Sequence, residues 1–404
     1  MAASTVDDLQ ALCNELSVQV QALGGVDKDN DLPARRKATG IARKLLNELI
    51  HPEELAAEQA ITLSEWASIR MYMKWKLFDK IPSEGNISYR GLARSVGADE
   101  VLVCKLLEPV PGHVAHSRLS PSYKTGDRNG YSFAMHHDDM QTVFANLPGY
   151  FEKYGPHIPQ GKTNIPLCYA YGEDGKLGHW EVLARPGKER EEQFGYAMQA
   201  MTNYAWPYTG AYDFSWVEEY ATTNSARPLI VDVGGSFGHA LRANLVKYPG
   251  IPPSRCAVED RAAMIPIIRE ELATDPIMED VQKVAADFHK EQPVKGNATI
   301  GALIYLVRRI THDYDDDDCV NLLKILADSL PDDEPQARIL INDQIMTDPP
   351  HRWVAAMDII MLTWASKERS EQQFADIAQR AGLVLVKIHM ADGATMGVVE
   401  CKKA

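Results

Sequence analysis

Three groups of residues in this chain have the types and spacing that do chemistry. The first is Pro228-Leu229-Ile230-Val231-Asp232-Val233-Gly234-Gly235-Ser236-Phe237-Gly238-His239, an apolar run that ends in glycines just before helical spacing resumes at Ala240-Leu241. Glycines let the backbone turn sharply and bring its N–H groups within bonding distance of a ligand. Strand-to-helix turns of this kind serve nicotinamide, flavin and nucleotide cofactors. The second group, Glu259-Asp260, lies about one strand–helix unit further on. An acidic group at the tip of a second strand accepts hydrogen bonds from both ribose hydroxyls of an adenosine cofactor. Nicotinamide dehydrogenases share that device, but usually near the start of a cofactor domain with two mononucleotide halves. About 170 residues follow the turn here, enough for one such sheet. The third is His312, which follows an apolar strand and precedes a helix, at the sheet edge where ligands bind. An imidazole there is placed to act as a general base.

Two further clusters have the composition of metal sites but a plainer reading. Asp315-Asp316-Asp317-Asp318 opens the helical pattern of Leu322, Leu323 and Ile325, where carboxylates suit the unpaired N–H groups and the helix dipole. His136-His137-Asp138-Asp139 holds four potential ligands, but consecutive helical positions point in different directions. We therefore expect no metal, and one of those histidines is left to reach a substrate pocket.

The elements that must position these residues differ between the two halves. Leu9, Leu12, Leu16, Val20 and Leu23 recur at helical spacing, as do Ile41, Leu45, Leu46 and Leu49. Neither stripe has a partner nearby in sequence; it packs against a second copy of the chain or caps the next domain. A longer helix is expected from Trp66 to Phe78, followed by short helices over Ser88–Ser95 and Asp99–Leu107 around Gly97. That arrangement suggests a DNA-binding helix-turn-helix, but residues 61–110 balance seven basic residues against six acidic ones, and Lys105 is the single basic residue of the second short helix. A winged-helix-like packing or dimerisation module fits better. Residues 111–200 are broken by Pro and Gly yet rich in aromatics, which suits a part-helical segment over an apolar pocket rather than a linker. From about residue 226, short apolar runs alternate with helices: Leu229–Val233, Arg255–Glu259, Ala302–Leu306, Ile339–Ile341 and Leu383–Ile388. Such alternation predicts an α/β sheet covered on both faces.

Composition narrows the function classes. A net charge of −14 over 404 residues disfavours nucleic acid as a partner. No apolar run approaches the ~20 residues of a membrane span, and the opening residues Met1–Asp8 lack a signal-peptide layout. The six cysteines are scattered without C-x-x-C spacing, against a disulfide framework or a zinc cage. The expectation is an acidic, reduced, cytoplasmic protein.

The glycine turn followed by Tyr248-Pro249, then Asp287-Phe288, then Tyr305-Leu306-Val307-Arg308-Arg309-Ile310-Thr311-His312-Asp313-Tyr314, and finally Ser366-Lys367-Glu368-Arg369-Ser370, resembles the motif series of the S-adenosyl-L-methionine (SAM)-dependent small-molecule O-methyltransferases of plants and fungi. The resemblance covers roughly residues 60–404. It implies a C-terminal Rossmann-like seven-stranded sheet and an N-terminal all-α, winged-helix-like dimerisation domain. The division expected is 1–125 for the helical domain, 126–205 for a segment covering the substrate, and 206–404 for the SAM-binding domain. It also implies a homodimer, a small-molecule substrate, and S-adenosyl-L-homocysteine (SAH) as the spent cofactor. By the same resemblance Gly234, Gly235 and Gly238 pass beneath the methionine portion of SAM with Asp232 close by. Asp260 holds the ribose, Asp287 and Phe288 flank adenine, and Arg308 lies near the cofactor. His312 is the base that takes the acceptor's proton, bracketed by Glu368 and Asp343; aspartate stands at the latter position where the family more commonly has glutamate. From position, His136, Phe194, Met198, Met357, Met361 and Trp364 are candidates to line the substrate pocket. Some fungal proteins of this fold keep the SAM pocket but catalyse dehydration or pericyclic ring formation, which is the rival reading.

Overall fold

The computed structural model describes residues 5–23, 32–103, 111–184, 196–197, 211–223, 227–294, 301–391 and 393–404. The chain divides into two compact units, Met1–Gly130 and Tyr131–Ala404.

In the first unit, Thr5 caps the helix Val6–Ala22 reciprocally with Asp8, and that helix pairs with Leu32–Leu49, so, contrary to the expectation, each has a partner nearby in sequence. None of the residues of Val6–Ala22 is buried, and Val18, Val20, Leu46 and Leu49 are exposed in this chain. The third helix runs Leu55–Lys74, beginning and ending earlier than the expected Trp66–Phe78; Lys76 takes φ +55°, which breaks helical continuation. Ser88 then caps the helix Tyr89–Val96 by accepting from Gly91 N at 3.1 Å, and Gly97 stops it at φ +68°. Of the expected Asp99–Leu107 helix, Glu100–Val103 is seen, and residues 104–107 lie outside the described set. A short antiparallel ribbon, β1 (Ile87–Ser88) with β2 (His113–Val114), joins these helices around a core of Tyr72, Leu77, Phe78, Tyr89 and Leu92.

The second unit is built on the strands β3 (Ile230–Val233), β4 (Cys256–Asp260), β5 (Gln282–Ala285), β6 (Ile304–Arg308), β7 (Arg338–Met346), β9 (Leu383–His389) and β10 (Met396–Lys403). Their order across the sheet is β5-β4-β3-β6-β7-β10-β9, with β10 antiparallel to both neighbours and the five strands from β5 to β7 parallel. The two-residue β8 (Arg369–Ser370) pairs with the end of β7. Alternation places Val231 and Val233 against Leu322, Leu326 and Phe374 on one face, while Ile230 meets Leu241, Leu245 and Ile268 on the other. Strands buried on both faces read as continuous apolar runs. This is the α/β architecture the sequence predicts, and its parallel strands bring Val233, Asp260 and Arg308 to one edge.

Candidate functional site

At that edge β3 ends and the chain turns through Gly234 and Gly238, both at φ +65°, into the helix His239–Lys247. The turn folds back tightly over β3. A Cβ on Gly235 would stand 2.6 Å from Asp232 Cγ, and one on Gly234 would stand 2.8 Å from Ile310 Cδ1 and 3.2 Å from Phe288 Cε1. Gly235→Ala is therefore expected to destabilise the chain by roughly 1–3 kcal/mol through forced movement of Asp232. Thermal unfolding checks this, and an unchanged midpoint would contradict the close approach.

Around the turn stand the expected cofactor residues. Asp232 is buried, and its Oδ2 has no hydrogen-bond partner among the described residues. Burial pushes its carboxyl up to about 7 against the pull of the Arg308 guanidinium. Asp260 accepts from Ser236 N at 3.0 Å and from Arg261 N at 2.8 Å, which fixes its carboxylate at the tip of β4. Phe288 packs edge-on to Tyr314, with ring centroids 6.0 Å apart. Asp287 accepts from His289 N at 3.2 Å and pairs with Lys290 at 2.7 Å, and that lysine bond holds its carboxyl below the usual range. Arg308 donates from Nε to Asn342 Oδ1 at 2.9 Å, across the β6–β7 register.

His312 sits four residues beyond β6 in the turn Thr311–Asp313 and is 5% exposed. Its Nδ1 lies 3.1 Å from Oε1 of Glu368, which is itself 3% exposed. The Asp313 carboxylate lies 3.5 Å from Nε2. Burial opposes charge on the ring, but Asp313, the hydrogen bond to Glu368 and the charge of Asp343 outweigh it and push His312 up to about 9. Asp343 acts through charge alone: its carboxyl accepts the Thr311 hydroxyl, and no hydrogen bond joins it to the ring. Burial raises the carboxyls of both Asp313 and Asp343.

The proposed pocket residues fall in neighbouring places. Met357 and Met361 are buried together with Met135 and Ala197, and Trp364 stacks on His179 with centroids 5.1 Å apart. Ile360 touches both clusters. His136 binds the carbonyl of Ser132 through Nδ1 at 2.7 Å, within a π-helical turn. Phe194 and Met198 lie outside the described residues. No group of three or more metal-ligating side chains occurs among the described residues. An open cleft of about 1100 Å³ beside Ile345, Thr347, Glu371, Lys387 and His389 contains none of the expected site residues.

Sequence reasoning missed several groups around the histidine and Glu368. Asp313 was in plain view as the next residue. Thr311 and Arg369 act through hydrogen bonds to residues 32 and 58 positions away, and Asp358 holds Glu368 N from ten residues away, which leaves no periodic mark.

Residues 158–384 match the family model described as an O-methyltransferase domain. Methyltransferase cfoD of Aspergillus candidus is 40% identical, over 98% of this chain and 99% of its own. Among solved structures, OxaC in complex with SAH and oxaline superposes with a TM-score of 0.81 at 22% identity, covering 98% of this chain and 99% of that one. A structure described as a pericyclic reaction enzyme superposes with a TM-score of 0.77 at 20% identity, covering 98% and 99%. At these identities the two structures speak to the fold.

Proposed function

The chain belongs to the O-methyltransferase domain family, and from that premise we propose that it moves a methyl group to a hydroxyl of an aromatic or polyketide-like small molecule, with His312 as general base. The methyl donor is S-adenosyl-L-methionine, released as SAH. The observation that carries the base assignment is the buried imidazole whose Nδ1 is held by the buried Glu368 carboxylate at 3.1 Å.

The residues at the sheet edge fit the cofactor. Glycines leave backbone open where any side chain would collide, Asp232 offers a buried oxygen with no hydrogen-bond partner among the described residues, and Asp260 is a fixed acceptor. In this reading Gly234, Gly235, Gly238 and Asp232 hold the methionine portion, Asp260 the ribose, Asp287 and Phe288 the adenine, and Arg308 lies near the cofactor. When bound, SAM supplies an electrophilic methyl carbon and a fixed positive charge. Glu368 holds Nδ1 protonated and so leaves Nε2 to take the acceptor's proton. Of the acceptor-side candidates, His136, Met357, Met361 and Trp364 fall among the described residues and are assigned to the acceptor pocket. Asp260→Ala is expected to weaken SAM and SAH alike, by about 1.5–3 kcal/mol for each charge-assisted bond lost. Calorimetry returning wild-type affinities in a folded variant would take Asp260 out of the site.

The assembly proposed is a cytoplasmic homodimer. Val18, Val20, Leu46, Leu49, Leu63 and Trp66 are exposed in the single chain, and a second copy covering them would bury that apolar surface. Sedimentation should then return a dimer; a well-behaved monomer would refute it.

A further inference from the structure

The four-aspartate run and the Lys367-Glu368-Arg369 segment are far apart in sequence but joined in space, and the join runs through the base. Asp315 supplies the helix cap, accepting from Asp318 N at 2.9 Å. Asp316 does something else. Its Oδ2 accepts from Lys367 Nζ at 2.7 Å, and its Oδ1 accepts two bonds from Arg369, Nε at 3.0 Å and Nη2 at 2.8 Å. Both cations that flank Glu368 are thus anchored on one carboxylate. The guanidinium of Arg369, 1% exposed, also donates from Nη1 to the carbonyl of Thr311 at 2.6 Å and from Nη2 to the carbonyl of Tyr314 at 2.9 Å. Those two carbonyls bracket His312 and Asp313. On the other side, Glu368 N donates to Asp358 Oδ1 at 2.9 Å. The residue that orients the imidazole and the turn that carries it are therefore fastened to the same planar cation.

We infer that Arg369, anchored by Asp316, is a positioning residue of the methyl-transfer site, tying the backbone on both sides of His312 to the segment of Glu368 so that the carboxylate stays on the imidazole Nδ1. The inference rests on His312 being the base. Arginine suits the task because its rigid fork serves three acceptors at once in fixed directions, whereas a lysine ammonium on a flexible stem cannot span both carbonyls and Asp316. Without the fork, the Thr311 and Tyr314 carbonyls lose their charge-assisted donor and are left with the weak Cys319 thiol at 3.2 and 3.7 Å and, at Thr311, the long Tyr314 N–H bond at 3.4 Å; the turn relaxes, and the imidazole is free to leave Glu368 or change tautomer.

The test uses the full chain and two substitutions, Arg369→Lys and Asp316→Asn. The second keeps the helix cap, which Asp315 supplies, so it carries the test if Arg369→Lys does not fold. With histidine labelled in nitrogen-15, the His312 Nδ1–H resonance is assigned by its absence in His312→Gln. Expected in both folded variants is SAM affinity within about threefold of wild type with that resonance shifted or broadened. Turnover should fall about 10- to 100-fold in Arg369→Lys and roughly tenfold in Asp316→Asn, at nearly constant acceptor KM. The inflection of kcat/KM against pH should move down toward the ordinary histidine range. Wild-type resonance, kcat and inflection in the folded variants would overturn the proposal. If the wild-type chain transfers no methyl group, the transferase reading fails, and the resonance alone still decides whether Arg369 holds the imidazole on Glu368.

Discussion

Replacing His312 by glutamine is expected to lower methyl transfer by about 10²–10⁴-fold, the usual worth of a positioned general base, while SAM affinity stays within a few-fold. The separation follows from geometry. The residues assigned to the cofactor stand in the β3 turn, at the tip of β4, just after β5 and at the end of β6, and none of them hydrogen-bonds His312. Glutamine keeps a polar amide in the buried space beside Glu368 but cannot take a proton near neutral pH. Steady-state rates and SAM calorimetry on the same preparation check this. Full activity in the variant would remove His312 as the base.

The second large effect concerns pH and Glu368. His312 is pushed up to about 9 from the ordinary 6.5, so in the free chain at neutral pH the ring carries the proton that a base must first lose. Accordingly kcat/KM should climb about tenfold per pH unit through neutrality and level off near the raised value. The same shift has a stability counterpart. Because the folded value lies above the unfolded one, the charged imidazole among its carboxylates contributes stability that is fully present below about 6.5 and is lost as pH rises through about 9. Glu368→Gln removes one of those charges and the ionic acceptor on Nδ1. The plateau rate should drop by about 10–10³-fold and the inflection should move to lower pH. The loss of thermal stability should be larger at pH 6 than at pH 9.5. An inflection that stays in place would show that Glu368 does not set the imidazole.

Much of the sheet was legible because burial on both faces writes itself into sequence. Ile230–Val233 and Ile304–Arg308 stand out as unbroken apolar runs, and the β3 glycines mark the turn that follows. Two strands did not show. β5 is an edge strand whose residues Gln282, Lys283, Val284 and Ala285 are at most half-buried, so no apolar run betrays it. β10 mixes Glu400 and Lys402 with its buried residues because it lies antiparallel, and Glu400 is spent on Arg338 at 2.7 Å and His389 at 2.8 Å. At the site, the residue types were readable but their wiring was not. Asp343 could be named as a carboxylate near the base, yet that it accepts the Thr311 hydroxyl and not the imidazole is visible only in the fold. Asp316 looked like one more helix-capping acid, and only the fold brings Lys367 and Arg369 to it.

Cofactor mass balance decides whether this chain consumes the methyl group of SAM. The purified chain is incubated with methyl-labelled SAM and a panel of phenolic and enolic acceptors, and both the SAH formed and the position of the label are measured. Expected is label on an acceptor oxygen, with one SAH per methylated product and both falling at least about 100-fold in His312→Gln. Product formed while SAM remains intact, as a pericyclase or dehydratase would give, or label on carbon or nitrogen instead of oxygen, would contradict it.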